Sequence, residues 1–558
     1  MESFKLLKRR TTKLLESLPQ SLPAMPSLPS GLSSSTGASM KGTWEKISVP
    51  PLPRSSHSVD IVAGTVYIFG GEVEPRKPVD NDMHAITLPS SGAQADYYAI
   101  RAKPARRQTK RDPEDPEGKG KSPAATDPDN KLSDDVVVPA PRVGHATAVI
   151  GHRIFLFGGR GGPDMTPLDE GGRVWVFDTR THQWTFLDPV YPGSTATVSV
   201  PEPRSYHSAV ATDKPKDFAP HPHHHSHHHL HQPSLPTAAG VGEHIKHLTN
   251  ADSWRDWARG DSDEVGIPQR PMVGAVTERA TDVDADGYGT FIIHGGCLAS
   301  GSRGSDVWAF DVRSRVWQRL PDAPGNPRGG TALALSHSRL YRFGGFDGKT
   351  EQGGQMDYLE LSLETFDDGF SGGEQEVSVS SRGGGWQSLL QGKENVGYKE
   401  VDPAEVPLAS HHHSREEEDV WPGARSVAAM GAVTVGGGRE YLVLIMGERD
   451  PSNDGHNAAG KFWDDVWTFQ VSAQGGTAAS LTDNLLKTVG RKTGEGKWTK
   501  VEMGPHDDED DASVEGPGPR GWIASGTMGE LEGNGIVIWG GLNAENHRLG
   551  DGWILRLG

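Results

Sequence analysis

"VYIFGG" at residues 66–71 decides the fold, because the chain repeats it. An apolar run that stops at glycine returns as "IFLFGG" (154–159), "FIIHGG" (291–296), "LYRFGG" (340–345), "LVLIMG" (442–447) and "IVIWGG" (536–541). Each run is rich in β-branched and aromatic residues, as a short buried strand requires. A second run follows each: "DMHAITL" (82–88), "RVWVFD" (173–178), "DVWAFD" (306–311), "MDYLEL" (356–361), "DVWTFQ" (465–470) and "DGWILRL" (551–557). A third carries tryptophan in "QWTFL" (183–187), "VWQRL" (316–320), "GWQSL" (385–389) and "KWTKV" (497–501), with "DYYAI" (96–100) in the first unit. Ahead of each glycine stands an arginine-led strand, marked by Arg54, Arg142, Arg204, Arg328, Arg425 and Arg520.

Six units of four short strands predict an all-β chain, a six-bladed β-propeller with one sheet per blade. The last unit ends on its third strand, and "TWEKI" (43–47) is the expected fourth. An N-terminal strand placed there closes the ring and removes an open sheet edge. Nine of the fifteen tryptophans fall on third and fourth strands, where large rings fill the space between blades. Gly295 and Gly344 stand close to the bare repeat of roughly 50 residues. Other units are stretched by polar segments near 101–138, 213–266, 364–384, 391–420 and 473–496, expected as long disordered loop insertions. Residues 1–42 read as a basic, Pro/Ser-rich disordered arm ahead of the propeller at 43–558. In that arm Phe4, Leu7, Leu14, Leu15 and Leu18 share a helical face among basic residues, so a frayed tail and a membrane-surface or targeting helix are both open.

Hydrophobic residues make up 34% of the 558, too few for every residue to lie in a core. The net charge of −18 argues against a chain that coats nucleic acid. No run approaches a transmembrane span or a secretory signal. With Cys297 as the single cysteine, no internal disulfide is possible, and a reducing, cytoplasmic location is expected.

The glycine pair followed by Tyr/Trp and then Trp resembles the kelch repeat, from about residue 43 to the end. Within that repeat family the chain resembles one branch, the plant specifier proteins: nitrile-specifier, epithiospecifier and thiocyanate-forming proteins. The residues that carry this are "PRSSHSV" (53–59), "YIFGGEVEPRKPVD" (67–80), "PRVGHA" (141–146), "PRSYHSA" (203–209), "RGGTAL" (328–333), "ARSVAA" (424–429) and "RGWIAS" (520–525). The resemblance implies an Fe(II)-dependent protein that redirects the unstable aglycone left by myrosinase toward nitriles, epithionitriles or thiocyanates. It also implies a Glu–Asp–His metal motif after the fifth unit's glycine. Here Glu448 and His456 hold the outer places, Ser452 stands in the middle one, and Asp450 and Asp454 flank it.

Two carboxylates and a histidine suit non-haem iron with open positions. The same "ERDPSNDGH" is also turn chemistry, with Asp and Asn capping their own backbone. Both readings stay open for Glu448, Asp450, Asp454 and His456. The six arginines are candidates for a substrate-binding ring around an anion, or for a framework of ion pairs within blades. "HPHHHSHHHLH" (221–231) and "HHH" (411–413) could chelate Zn or Ni or be disordered tracts with incidental metal affinity, "DDEDD" (507–511) reads as a solvated loop, and all three suit protein partners. "DVDADGYG" (282–289) lacks the twelfth-position glutamate of a calcium loop. Galactose oxidase chemistry is excluded, because no Tyr/His constellation accompanies Cys297. Two functions remain: a metal-dependent protein acting on a small anionic or sulfur-containing molecule, and a non-enzymatic protein-interaction scaffold.

Overall fold

The structure is a computed structural model. It describes residues 40–88, 94–104, 138–191, 199–212, 289–366, 376–392, 420–452, 454, 458–472, 479–480, 482–483, 494–505, 515–529 and 532–558. The arm before residue 40, the tracts 221–231, 411–413 and 507–511, most of the 282–289 stretch, and His456 lie outside them.

The six apolar runs form the second strands of six antiparallel sheets. Blade 1 comprises Ser58–Val62, Thr65–Phe69, Met83–Thr87 and Asp96–Ile100, hydrogen-bonded in that order. Blade 2 comprises Ala146–Ile150, Arg153–Phe157, Val174–Asp178 and Gln183–Leu187. Ser208–Thr212, Thr290–His294, Val307–Asp311 and Val316–Leu320 make blade 3. Ala332–Ser336, Arg339–Phe343, Gln355–Phe366 and Glu376–Leu390 make blade 4. Ala429–Val435, Arg439–Ile445, Val466–Gln470 and Trp498–Lys500 make blade 5.

Blade 6 is assembled from both ends of the chain. Ala524–Thr527, Gly535–Trp539 and Gly552–Leu557 are followed by Lys41–Ile47, with Trp44 opposite Leu555. The closing strand therefore appears where the repeat count requires it. Glu502–Gly504 then adds in parallel to its outer edge, a fifth strand that the repeat did not announce.

The second strands are largely apolar on both faces because each sheet is stacked between two others, with Arg342 of blade 4 as a charged exception. Ile154, Leu156, Ile292, Leu444 and Val537 are all fully buried. Burying one such side chain stabilises by about 1.5–3 kcal/mol. The fourth-strand tryptophans reach to the preceding blade. Trp184 meets Phe69, Trp317 meets Phe157 and Trp498 meets Phe343, with centroids 5.1, 5.2 and 5.4 Å apart.

Two backbone circuits lock the blades together. Ser56, Gly144, Tyr206, Gly330, Val427 and Trp522 all have left-handed φ, between 45° and 62°. The N–H of each donates to the carbonyl of its counterpart one blade back, and Ser56 donates to Trp522, so six bonds close a ring. A parallel set runs from the second glycine of each blade to the next blade's arginine carbonyl, as in Gly71 to Arg142 at 2.9 Å. Gly71 has φ +89°, and a Cβ there would lie 2.7 Å from the Ser55 carbonyl oxygen. Glycine is thus required both by conformation and by close approach.

Three of the expected insertions contain ordered parts. Blade 4's outer strands continue into 364–384, pairing as far as Phe366 with Glu376. Alternating apolar residues allow this, and Leu361 and Val379 are buried. Asp483, inside 473–496, is buried against Arg439 at 2.7 Å. The Lys103 carbonyl accepts a hydrogen bond from the Trp184 N–H. In these stretches a few residues return to the sheet.

Candidate functional site at the mouth of the ring

The six repeat arginines are at most 5% exposed. Each donates from Nη1 to the carbonyl of the residue in its own blade's first glycine place: Gly70, Gly158, Gly295, Gly344, Met446 and Gly540. Four also grip a carboxylate through both Nη atoms: Arg142 with Glu170, Arg204 with Asp306, Arg425 with Asp465 and Arg520 with Asp551. Arg54 instead contacts His84 Nε2 at 3.1 Å. The arginines brace strands within blades, and their guanidinium groups do not meet as a ring of open cations.

A second set of positions in the repeat follows a different phase. The residue after each glycine pair bridges to the residue after each arginine: Glu72 to Ser55, Arg160 to Val143, Phe346 to Gly329, Glu448 to Ser426 and Leu542 to Gly521. Cys297 pairs likewise with Ser205. A cavity of about 30 Å³ opens at this end of the ring. Its polar lining includes Ser56, Glu72, Tyr206, Glu448 and Arg548, and Trp522 walls it. These come from blades 1, 3, 5 and 6.

Tyr206 and Trp522 meet across the axis edge to face, 5.2 Å apart at 81°. The Arg160 guanidinium stacks 5.1 Å over the Tyr206 ring and is fixed by Ser205 Oγ at 2.8 and 3.0 Å. Burial pushes the Tyr206 hydroxyl up to about 12, helped by the Glu72 charge. Arg548 pairs with Glu72 at 3.0 Å, with both side chains nearly buried, and its Nε has no acceptor among the described residues.

Glu448 is 7% exposed. Burial, and then the charge of Asp450, raises its pKa to about 7. Glu351 behaves similarly. Burial lifts it to about 8, against the hydrogen bond from Ser426 Oγ, while Glu448 and Asp347 add repulsion. Its Oε2 is buried and without a partner among the described residues.

Asp450 does not join Glu448. A bulge lies between them in the ribbon Glu448–Asp450/Lys461–Phe462, and bulges re-aim the side chains on either side. The Asp450 carboxylate is 60% exposed and paired with Lys461 at 2.9 Å. Asp454 is exposed in a turn where its N–H donates to Ser452 Oγ at 3.1 Å. Among the described residues no group of three His, Cys, Asp or Glu is placed to hold a metal. The described donors alone therefore do not fit a three-donor iron centre. Glu448 is the one that reaches the cavity.

Glu72, Tyr206, Trp522 and Arg160 were missed in the sequence although they carry a signal. They stand one place after the glycine pair or two places after the arginine. Glu351 and Arg548 carry no such signal, because they lie on return loops of unequal length.

Residues 141–190 match the family model described as the Kelch motif. A curated protein of Thlaspi arvense, N-(sulfonatooxy)prop-2-enimidothioate sulfolyase, is 23% identical over 74% of this chain and 91% of its own length. The tRNA wybutosine-synthesizing protein 2/3/4 of Oryza sativa subsp. japonica is 32% identical over 14% of this chain, which spans 6% of that protein. Among solved structures, one titled "Structure of YjhT" covers 91% of this chain and 99% of its own, at 12% identity and a TM-score of 0.41.

Proposed function

For a chain that is a kelch-repeat β-propeller resembling the specifier proteins, we propose that the mouth cavity takes a small anionic, sulfur-containing molecule. The observation that carries this is a buried carboxylate, Glu448, sharing one cavity with Arg548 and the Tyr206–Trp522 pair. The Thlaspi arvense relative acts, by its name, on a sulfonatooxy-imidothioate. A substrate of that class carries a sulfonate and an apolar side chain. Arg548, which lines the cavity and whose Nε–H has no acceptor among the described residues, would orient the sulfonate by charge-assisted hydrogen bonds, with the Arg160 charge behind the Tyr206 ring adding attraction. Tyr206 and Trp522 would exclude water from the apolar part. Glu448, whose pKa burial raises to about 7, would have to give up its proton to take a metal, so metal uptake should strengthen as pH rises through 7.

Fe(II) belongs to this reading through Glu448, with His456 as its expected second ligand. It would supply Lewis acidity toward sulfur or oxygen. A cytoplasmic location is part of the same reading.

The test is anaerobic calorimetry with Fe(II), on the chain and on Glu448→Ala with His456→Ala. Tract 221–231 is deleted from both so that it does not mask the result. One bound Fe(II), lost in the double variant, supports the reading. Incubation with the sulfonatooxy-imidothioate should then give products that Arg548→Gln reduces about tenfold or more, the loss expected when a charged contact is removed. Identical isotherms and unchanged products would leave the protein-interaction scaffold as the better reading.

A further inference from the structure

Arg328 differs from its sister arginines. Four of them hold a carboxylate through both Nη atoms, and Arg54 has His84, itself 3.5 Å from Asp80. Arg328 is 5% exposed, and among the described residues its hydrogen bonds run to the carbonyls of Asn326 and Gly344.

The register explains the loss. His294 opposite Val307 in blade 3 matches Phe343 opposite Met356 in blade 4. Gln355 thus occupies the place of Asp306, Asp357 that of Trp308, and Arg342 that of Ile293. Asp357 is taken by Arg342, by Gln355 Nε2 at 2.5 Å and by Ser388 Oγ at 2.6 Å. Asp347 lies near Arg328, but both its oxygens are occupied by Asn326, Gln352 and the backbone of Lys349 and Thr350. Two buried guanidinium groups therefore share one buried carboxylate. Burial, and then the Arg342 charge, pushes Arg328 down to about 10.

The outer edge of Arg328 is left open by Gly325. This residue is exposed with φ +74°, and a Cβ on it would lie 2.8 Å from Arg328 Nη2. We propose that blade 4 carries a small-anion site at Arg328 Nη2, in which a free inorganic oxyanion or halide takes the place that an aspartate carboxylate takes in blade 3. The site is apart from the mouth cavity, whose lining does not include Arg328.

The probe is sodium sulfate, read as the midpoint of thermal unfolding across a sulfate series. Sulfate raises the midpoint of most proteins by exclusion, so slopes are compared between variants. Arg328→Gln should lower the midpoint and flatten its sulfate dependence. Arg204→Gln, which removes a sister with an intact carboxylate, should lower the midpoint and keep the wild-type slope. Any slope lost in Arg548→Gln reports sulfate at the mouth, and it should add to the loss in Arg328→Gln, which separates the two sites. Equal slopes for wild type and Arg328→Gln would overturn the proposal. Should Arg328→Gln not fold, wild-type crystals soaked in bromide decide. An anomalous peak about 3.3 Å from Arg328 Nη2, roughly the reach of a hydrogen bond to a large anion, supports the site, and its absence overturns it.

Discussion

Blades 3 and 4 have the same four-stranded backbone and different interiors at one layer. In blade 3, Ile293 stands opposite Trp308, and Asp306 joins Arg204 to the Trp308 indole N–H. In blade 4 the corresponding places hold Arg342, Asp357 and Gln355. The rim shows a similar reversal. Cys297 bridges to Arg303 in blade 3, and Phe346 bridges to Glu351 in blade 4. The propeller tolerates this because its blades are tied by main-chain bonds, through left-handed residues and glycines. Those bonds are indifferent to side-chain charge. The repeat therefore enforces a backbone and leaves each blade's polar layer free to diverge, provided buried charges find partners.

The largest effect that tests this contrast is expected from Asp357→Ala. It strands Arg342 and leaves Arg328 with a second unpaired neighbour, at a cost of about 3–5 kcal/mol in urea unfolding. Asp306→Ala strands only Arg204, which keeps the Gly295 carbonyl. Its cost should fall at or below the lower end, about 3 kcal/mol. A larger loss at Asp306 than at Asp357 would break the account of two cations on one carboxylate.

Replacing both Arg342 and Asp357 by leucine makes the blade 4 layer apolar, as in blade 3. The double variant should be neutral or about 1–2 kcal/mol more stable, since apolar substitution of a buried pair removes its desolvation cost. Clear destabilisation would mean that the ion pair specifies the packing around Trp386.

The smallest effect belongs to the rim. Glu351 has a folded pKa of about 8 against 4.5 for the free side chain. The fold favours the protonated form, so the stability linked to it is present below pH 4.5 and is lost as pH rises through 8. Glu351→Gln stays neutral throughout. Its advantage over wild type should grow across that window to about 1 kcal/mol, after allowance for partial solvent exposure. A difference independent of pH would show that the Glu351 carboxyl titrates as if in water.

The blades, their order and the closing role of residues 43–47 were legible because they rest on local pattern. An apolar run, a glycine at the close approach and a tryptophan on the outer strand recur in phase, and strand register preserves them. The residue after the glycine pair reaches the cavity in blades 1, 5 and 6, as Glu72, Glu448 and Leu542, a phase that the sequence carries but that only the fold makes meaningful. The arginines were harder. Their recurrence was visible, but a guanidinium takes whichever carboxylate the fold delivers. Arg204 finds Asp306 more than a hundred positions away, and Arg328 is hydrogen-bonded to no carboxylate among the described residues.

Glu448 and Asp450 show the same limit over two positions. Alternation places them on one face, and a bulge parts them, one into the cavity and one toward Lys461 in solvent. The sequence by itself determined the architecture, because short-range backbone preferences and apolar periodicity are local and repeat six times. Only the tertiary structure decided which charged groups pair, which are left open, and that residues from blades 1, 3, 5 and 6 share a cavity. Those outcomes depend on competition through space, which begins only when the ring has closed.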